Sequence, residues 1–195
     1  MQNMPIWGIV LIVVGVVLVI VAISIIVWVI QTINWFRQTK VKIDESKSSI
    51  DVALTKRYDL LTKSLATVKG YAKHESETLA KVIQMRNPNG VSAMSTQEKS
   101  DFANQLTEAA KGLNIVVERY PELKADKSFG RLQDQIQDVE DNLQAVRRIF
   151  NSNISIYNQR VVTWPASIIA RHYAFNKEDF FEAEEQKRQD VKIEF

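Results

Sequence analysis

Few side chains in this 195-residue sequence have the chemistry that catalysis needs. Cysteine is absent, and histidine occurs only as His74 and His172. Without cysteine the chain has no disulfide, no thiol nucleophile and no thiolate zinc site. Glu75 and Glu77 beside His74 would suit a metal ion or a proton relay, but we favour a histidine on a helix surface or packed against another helix.

Sequence motifs of common enzyme classes are also absent. Tyr71 and Ile169 stand three residues before the two histidines, so the Glu-x-x-His pair of helical di-metal sites does not occur. The sequence also lacks a glycine-rich phosphate loop and a Gly-x-Ser-x-Gly turn. We therefore predict that the protein is not an enzyme and has no catalytic residue, cofactor, metal or small-molecule substrate.

The composition instead predicts a helical protein. The chain carries 25 Lys and Arg against 23 Asp and Glu, and this near balance argues against a nucleic-acid-binding protein, which usually has a basic excess. It contains only 6 glycines and 4 prolines, so long uninterrupted helices are expected. The fold class that we predict is all-α.

The N-terminal segment has the composition of a membrane span. No charged side chain occurs from Pro5 to Ile30, and the first charge of the chain is Arg37. Because an apolar helix of about 20 residues crosses a bilayer, we predict a transmembrane anchor in residues 1–36. A cleaved signal peptide is the alternative, but it would need a basic start, which residues 1–5 lack.

Two tryptophans and the flanking charges predict how this anchor lies in the bilayer. Trp7 and Trp28 are about 32 Å apart on a helix, so we predict that they anchor its two ends at the lipid–water interfaces. No Lys or Arg precedes the span, whereas four follow it closely. By the positive-inside rule, the N-terminus is expected outside and the remainder of the chain in the cytoplasm. The four basic residues are Arg37, Lys40, Lys42 and Lys47.

Residues 37–195 are predicted to form one soluble bundle of three long antiparallel helices and a shorter C-terminal fourth. Proline occurs there only at Pro88, Pro121 and Pro165, which separate stretches with apolar residues every three or four positions. The first helix is predicted to end near Arg86 and to be followed by a loop at 87–94. A capping box at Ser95 begins the second helix, which ends near Tyr120. The third helix begins at Asp126 or Ser128 and ends before Trp164.

The third helix has the most regular apolar seam. Asn153 takes one place in it, and we interpret this residue as a register-setting polar group rather than a ligand. Farther on, Asn176 with the acidic residues after it predicts the N-cap of another helix, and residues 191–195 are read as an extended tail. The seam consists of Phe129, Leu132, Ile136, Val139, Leu143, Val146, Phe150 and Tyr157.

Several short motifs together resemble the LemA family of bacterial membrane proteins. They occur in the family's order over nearly the whole chain, in residues 56–61, 68–75, 120–125, 129, 132–133, 147–151, 157–158, 164–165, 169–170 and 180–183. The resemblance implies a single-pass, N-terminally anchored helical bundle of the bacterial inner membrane with no established activity. One departure is Thr62 and the residues around it, where the family often has a proline that would perturb the first helix.

Two pairs within these motifs invite specific interpretations. Arg57 and Asp59 are two positions apart on a helix and do not face each other, so we predict that each pairs with a neighbouring helix; a ligand-binding role is the alternative. Phe180 and Phe181 are predicted to pack the terminal segment onto the bundle, with a partner-docking role as the alternative.

We predict a self-associating membrane-anchored scaffold, and the alternative is an accessory or adaptor subunit of a membrane protease or signalling system. A stripe at every seventh residue supports self-association, with small residues in the membrane and large apolar ones beyond it. We expect no helix of the same chain to cover its soluble part, so that a second copy buries it; an exposed monomeric stalk is the alternative. The stripe is Gly8, Gly15, Ala22, Val29, Phe36, Ile43 and Ile50.

Overall fold

A computed structural model describes residues 6–71 and 90–181 of the chain, and these residues contain helices and no strand. Five α-helices follow one another, and a 3₁₀ turn at Val91–Ala93 precedes the second. The predicted all-α fold class is confirmed for this part of the chain. The helices are α1 (Ile6–Tyr71), α2 (Thr96–Arg119), α3 (Pro121–Ala125), α4 (Lys127–Val162) and α5 (Ala166–His172).

Helix α1 is continuous over 66 residues, about 99 Å. Its first part is rich in valine and isoleucine, which favour strands in water, but a lipid environment requires a segment to bond its own backbone groups, as a helix does. By length and composition α1 is a candidate membrane span, with a mean hydropathy of 3.6 over an apolar window that is wholly exposed. Its predicted end at Arg86 lies outside the described residues.

The contacts divide the chain into two compact units. The first unit contains residues 6–42 of α1 together with Ser155–Glu178. The second unit contains the described residues of Ile43–Ile154 and of Asp179–Phe195. Both α1 and α4 therefore contribute to each unit, and the predicted division into an anchor and a soluble part at residue 36 stays a prediction.

The core of the second unit follows the predicted apolar seams. Ile154, which the sequence analysis did not include, joins the seam of α4 and is fully buried. Asn153 donates to the Ser46 hydroxyl over 3.4 Å, a polar contact between α4 and α1 that fits its register-setting interpretation. Large apolar side chains that this core buries fully include Ile50, Leu54, Leu61, Leu106, Leu113, Leu123, Phe129, Leu143 and Phe150.

Local signals set most helix ends. Ser95 caps α2 by accepting from the Glu98 amide, and the Glu98 carboxylate accepts from the Ser95 amide, so the predicted capping box is confirmed. Hydrogen bonding of the Glu98 carboxyl to Ser95, first with its backbone amide and then with its side chain, lowers the pKa of Glu98. At α4 the Asp126 carboxylate accepts from the amides of Ser128 and Phe129, which confirms the predicted start. Helix α3 was not predicted.

The predicted helix that would begin at Asn176 is wrong within the described residues. Residues 175–181 have no regular secondary structure. Their backbone groups bond instead to side chains of α4: Asn158 bonds to Glu178, and Asn151 bonds to Phe181. These tertiary hydrogen bonds replace those that a helix would have supplied. The predicted tail at 191–195 and most of the predicted loop at 87–94 lie outside the described residues.

The expectation that the soluble part of the seven-residue stripe is uncovered is also wrong. Phe36 is fully buried in the first unit, and Ile43 and Ile50 are buried in the second, with exposed fractions of 4% and 1%. The expectation considered only the helix that returns from Ser95, whereas α4, 36 residues or about 54 Å long, also packs on α1. The chain therefore buries this part of the stripe without a second copy.

Candidate functional site

The membrane part of the stripe and the two tryptophans predicted to anchor the span both remain predictions. Trp7 is 80% exposed, and Ala22 lies on the exposed apolar part of α1. A Cβ added at Gly15 would meet no atom of the chain within 4 Å, so the surface of α1 is open at this position. Trp28 differs from these residues because other side chains of the first unit half-bury it.

Trp28 borders a cleft in the first unit. The cleft has a volume of about 360 Å³ and an open mouth, and it lies between α1 and the corner where α4 ends and α5 begins. Three of the four tryptophans of the chain contribute to its walls. The main wall residues are Trp28, Trp35, Ile156, Arg160, Trp164 and Pro165.

An aromatic cluster holds the walls of this cleft in place. Phe36 packs edge-on against Tyr157 with ring centroids 5.7 Å apart and stacks on Phe175 at 4.7 Å. Trp35 contacts the edge of Phe36 at 5.4 Å, and the guanidinium of Arg160 lies 4.4 Å above the Trp35 ring. Since Phe36 and Tyr157 are buried, α1 and α4 are fixed against each other directly beside the cleft.

Tyr157 and its charged neighbours set the electrostatics of this unit. Burial raises the pKa of the Tyr157 hydroxyl; the positive charge of Lys40 opposes this shift and the negative charge of Glu178 adds to it. Lys40 and Glu178 form an ion pair of 2.8 Å that remains partly exposed. The raised pKa favours the neutral hydroxyl, and the Tyr157 ring packs against Phe36.

Two asparagines, which the sequence analysis did not identify as functional, fasten the segment after α5. The Asn158 amide donates to the Glu178 carbonyl and accepts from the Glu178 amide, each at 2.8 Å, within the first unit. In the second unit Asn151 forms the same pair of bonds with Phe181, at 2.9 and 2.8 Å. Both asparagines belong to motifs of the family resemblance, which was the available signal for them.

Phe181 confirms its predicted packing role. Its ring is 3% exposed, and the Arg147 guanidinium lies 4.7 Å from the ring centroid. Phe180, in contrast, is 47% exposed. The interpretation that this pair packs the terminal segment therefore holds for Phe181, and a docking role stays open for Phe180.

We expect Asn158→Ala to release the segment around Glu178. The change removes two hydrogen bonds, worth about 1 to 3 kcal/mol together, without touching a helix boundary. Hydrogen exchange should show faster exchange of the Glu178 amide, while the amides of α1 keep their protection. Asn114→Ala, at an exposed asparagine of α2, is the control. Unchanged exchange at Glu178 would contradict the assigned role of Asn158.

Buried charges join the helices of the second unit. Arg57, 3% exposed, pairs with Glu140 of α4 at 2.6 Å and donates to the Ala103 carbonyl and the Thr107 hydroxyl of α2. Lys99 is 1% exposed and pairs with Asp51 of α1 at 2.5 Å. The predicted pairing of Arg57 with neighbouring helices is confirmed. Asp59 is exposed, and the ion pairs of the described residues do not include it, so its pairing stays a prediction.

A candidate metal site is absent from the described residues. Within residues 6–71 and 90–181, no group of histidine and acidic side chains could hold a metal ion. His172 is exposed and its ring contacts the edge of Tyr173 at 5.1 Å. His74 and the acidic residues beside it lie outside the described part of the chain.

Comparison with known proteins identifies relatives. The model of the LemA family matches residues 46–195, more than three quarters of the chain. Protein LemA of Metamycoplasma hominis is 28% identical over 144 residues, which are 74% of this chain and 66% of that protein. Magnetosome protein MamQ of Magnetospirillum gryphiswaldense is 26% identical over 69 residues, 35% of this chain and 25% of that protein. The chain thus spans just under two thirds of the first relative and a quarter of the second.

Proposed function

The chain belongs to the LemA family, and from this premise we propose that it is a single-pass membrane protein that displays a non-enzymatic helical bundle for protein–protein interaction. The bundle is proposed to act as a scaffold, in which copies of the chain associate with one another through their membrane segments. The proposed location is the bacterial inner membrane, with the N-terminus outside and the bundle in the cytoplasm.

The observation that carries this proposal is the continuity of α1. One helix provides an exposed apolar segment with no charge before Arg37 and then supplies buried residues to a packed core. An exposed apolar surface of this length is unfavourable in water, and a bilayer accounts for it. The same helix would therefore supply the membrane span and part of the bundle core.

A structural role also agrees with how the polar residues are used. The buried charged groups Arg57 and Lys99 pair with carboxylates of neighbouring helices, and Asn151 and Asn158 bind backbone groups of the chain itself. These polar groups therefore serve folding. What the bundle offers to other proteins is its surface.

Co-purification of the crosslinked full chain from native membranes tests the proposal. We expect oligomers of the chain, and we expect Gly15→Ile to reduce them several-fold, because four added carbon atoms prevent close helix approach. Val17→Phe adds the same number of atoms about 200° around the helix and should leave the oligomers intact. A different protein in stoichiometric amount would favour the adaptor alternative. A monomer without partners would contradict both functions.

A further inference from the structure

We propose that the cleft of the first unit binds the headgroup of an anionic phospholipid and that the α4–α5 corner sits in the headgroup layer. This inference rests on the proposed insertion of α1 in a membrane. It adds a lipid-binding site on the bundle side of the anchor, with Arg160 as the group that contacts the lipid phosphate.

The α4–α5 corner lines the same cleft as Trp28, and this puts the corner at the level of the membrane surface. Trp28 is the predicted interface residue at the end of the span, and it lines the same cleft as Trp164 and Pro165 of the corner. Seven residues farther along α1, Trp35 lines the cleft as well. If Trp28 lies at the lipid–water interface, Trp164 must lie there too.

The exposed surface of the corner suits this depth. Trp164 is 76% exposed, and Val162 and Ile168 are 55% and 58% exposed. Such side chains make few favourable interactions with water. Indole rings and aliphatic groups are stabilised where lipid headgroups meet hydrocarbon. Trp7, at the opposite end of the span, has a similar exposure of 80%. The corner thus presents to lipid the same kind of surface as the span itself.

The positive charge of the first unit favours an anionic lipid as the ligand of the cleft. The residues that make up the first unit include six Lys and Arg but only one carboxylate, that of Glu178, which Lys40 binds at 2.8 Å. Because the whole chain carries only +2, this unit holds a concentrated positive field. Anionic lipids are attracted to such a field. The six residues are Arg37, Lys40, Lys42, Arg160, Arg171 and Lys177.

Arg160 is the cation positioned at the cleft. Its guanidinium lies 4.4 Å over the Trp35 ring, a cation–π contact that holds the group at the wall of the cleft. A phosphate accepts two N–H groups of one guanidinium in parallel. Among the ion pairs of the described residues, none involves Arg160. The walls of Trp28 and Ile156 then remain for the apolar part of the lipid.

A second copy of the chain fits this cleft less well than a lipid. Placing the cleft of one copy against the cleft of another would bring two Arg160 side chains together, and like charges in contact oppose association. A protein partner with an acidic surface would satisfy the charge but would not account for the apolar corner beside the end of the span. The lipid accounts for both features.

Lipid retention by the full chain tests the site. The protein is reconstituted in vesicles of equal phosphatidylglycerol and phosphatidylcholine, extracted in mild detergent, and its bound lipids are measured by native mass spectrometry. We expect retained phosphatidylglycerol in excess, reduced roughly tenfold by Arg160→Gln because a charge-assisted hydrogen bond is lost. Arg148→Gln, an exposed arginine of the same helix, changes the net charge equally and should retain lipid like the unaltered chain.

A second measurement tests the depth of the corner without altering the cleft. The chain has no cysteine, so Ile168→Cys and Ile149→Cys each give one labelling position, and the two isoleucines are similarly exposed at 58% and 55%. Ile149 lies about 20 Å before the end of α4. A fluorophore at position 168 should be quenched by lipids brominated near the headgroup, and one at position 149 should not.

The outcomes separate this inference from the proposed function. If the chain resists extraction by carbonate but shows neither lipid preference nor quenching at position 168, the anchor stands and the lipid site is wrong. Equal retention by the Arg160→Gln and Arg148→Gln proteins would likewise overturn the role of Arg160. If carbonate extracts the unaltered chain from the membrane, both the anchor and the lipid site are wrong.

Discussion

Arg57→Met is expected to lower the free energy of unfolding of the full chain by about 3 to 5 kcal/mol, which is the usual cost of removing one partner from a buried ion pair. The Glu140 carboxylate would lose its cation, and the Ala103 carbonyl and the Thr107 hydroxyl would lose a donor. Three helices meet at this side chain, so the loss affects contacts of α1 with both α2 and α4. Chemical denaturation in detergent, followed by circular dichroism, measures the difference.

A neighbouring lysine provides the control for this prediction. Lys56→Met removes the same charge one residue earlier, but Lys56 is exposed and its replacement should change stability by less than about 1 kcal/mol. The double change Arg57→Met with Glu140→Met should be less destabilising than Arg57→Met alone, since apolar side chains often replace a buried ion pair with little loss. Equal stability of the Arg57→Met and Lys56→Met proteins would show that the buried pair does not hold the helices.

The elements that the sequence predicts well depend on local interactions. The capping box at Ser95, the start of α4 at Asp126 and the end of α4 before Trp164 all follow from residues within four positions of one another. The seam of α4 was likewise readable from its spacing of three and four. Side chains a few residues apart determine these features, so the sequence contains the necessary information.

The features that the sequence did not predict depend on contacts between distant segments. Residues around Asn176 resemble a helix start, yet asparagines of α4 about twenty to thirty positions earlier take the nearby backbone groups. The prediction that Ile43 and Ile50 are uncovered compares the first helix only with the helix that begins at Ser95. It does not consider α4, which also packs on α1 and helps to bury them. The cleft combines Trp28 with Trp164, and no local pattern connects residues so far apart.

Insertion of α1 in a membrane is the premise of both proposals, and three aspartates in its apolar part are expected to abolish it. Val13, Val17 and Val21 lie one turn apart and are 48% to 55% exposed, so they face what surrounds the helix and not the core of the chain. An aspartate near the centre of a span costs about 3 kcal/mol, and three on one face leave no apolar path across the bilayer.

The triple change Val13→Asp, Val17→Asp and Val21→Asp should therefore move most of the protein from the carbonate-resistant membrane fraction to the soluble fraction. Aspartate leaves the basic residues beyond the span unchanged, so their effect on orientation is not altered. Val41→Asp with Val52→Asp is the control, because these valines are also exposed on α1, at 65% and 67%, but lie beyond its charge-free part. That protein should stay in the membrane. If the triple variant also resists carbonate, α1 is not the anchor, because a helix that faces lipid cannot carry three unpaired charges across the hydrocarbon layer.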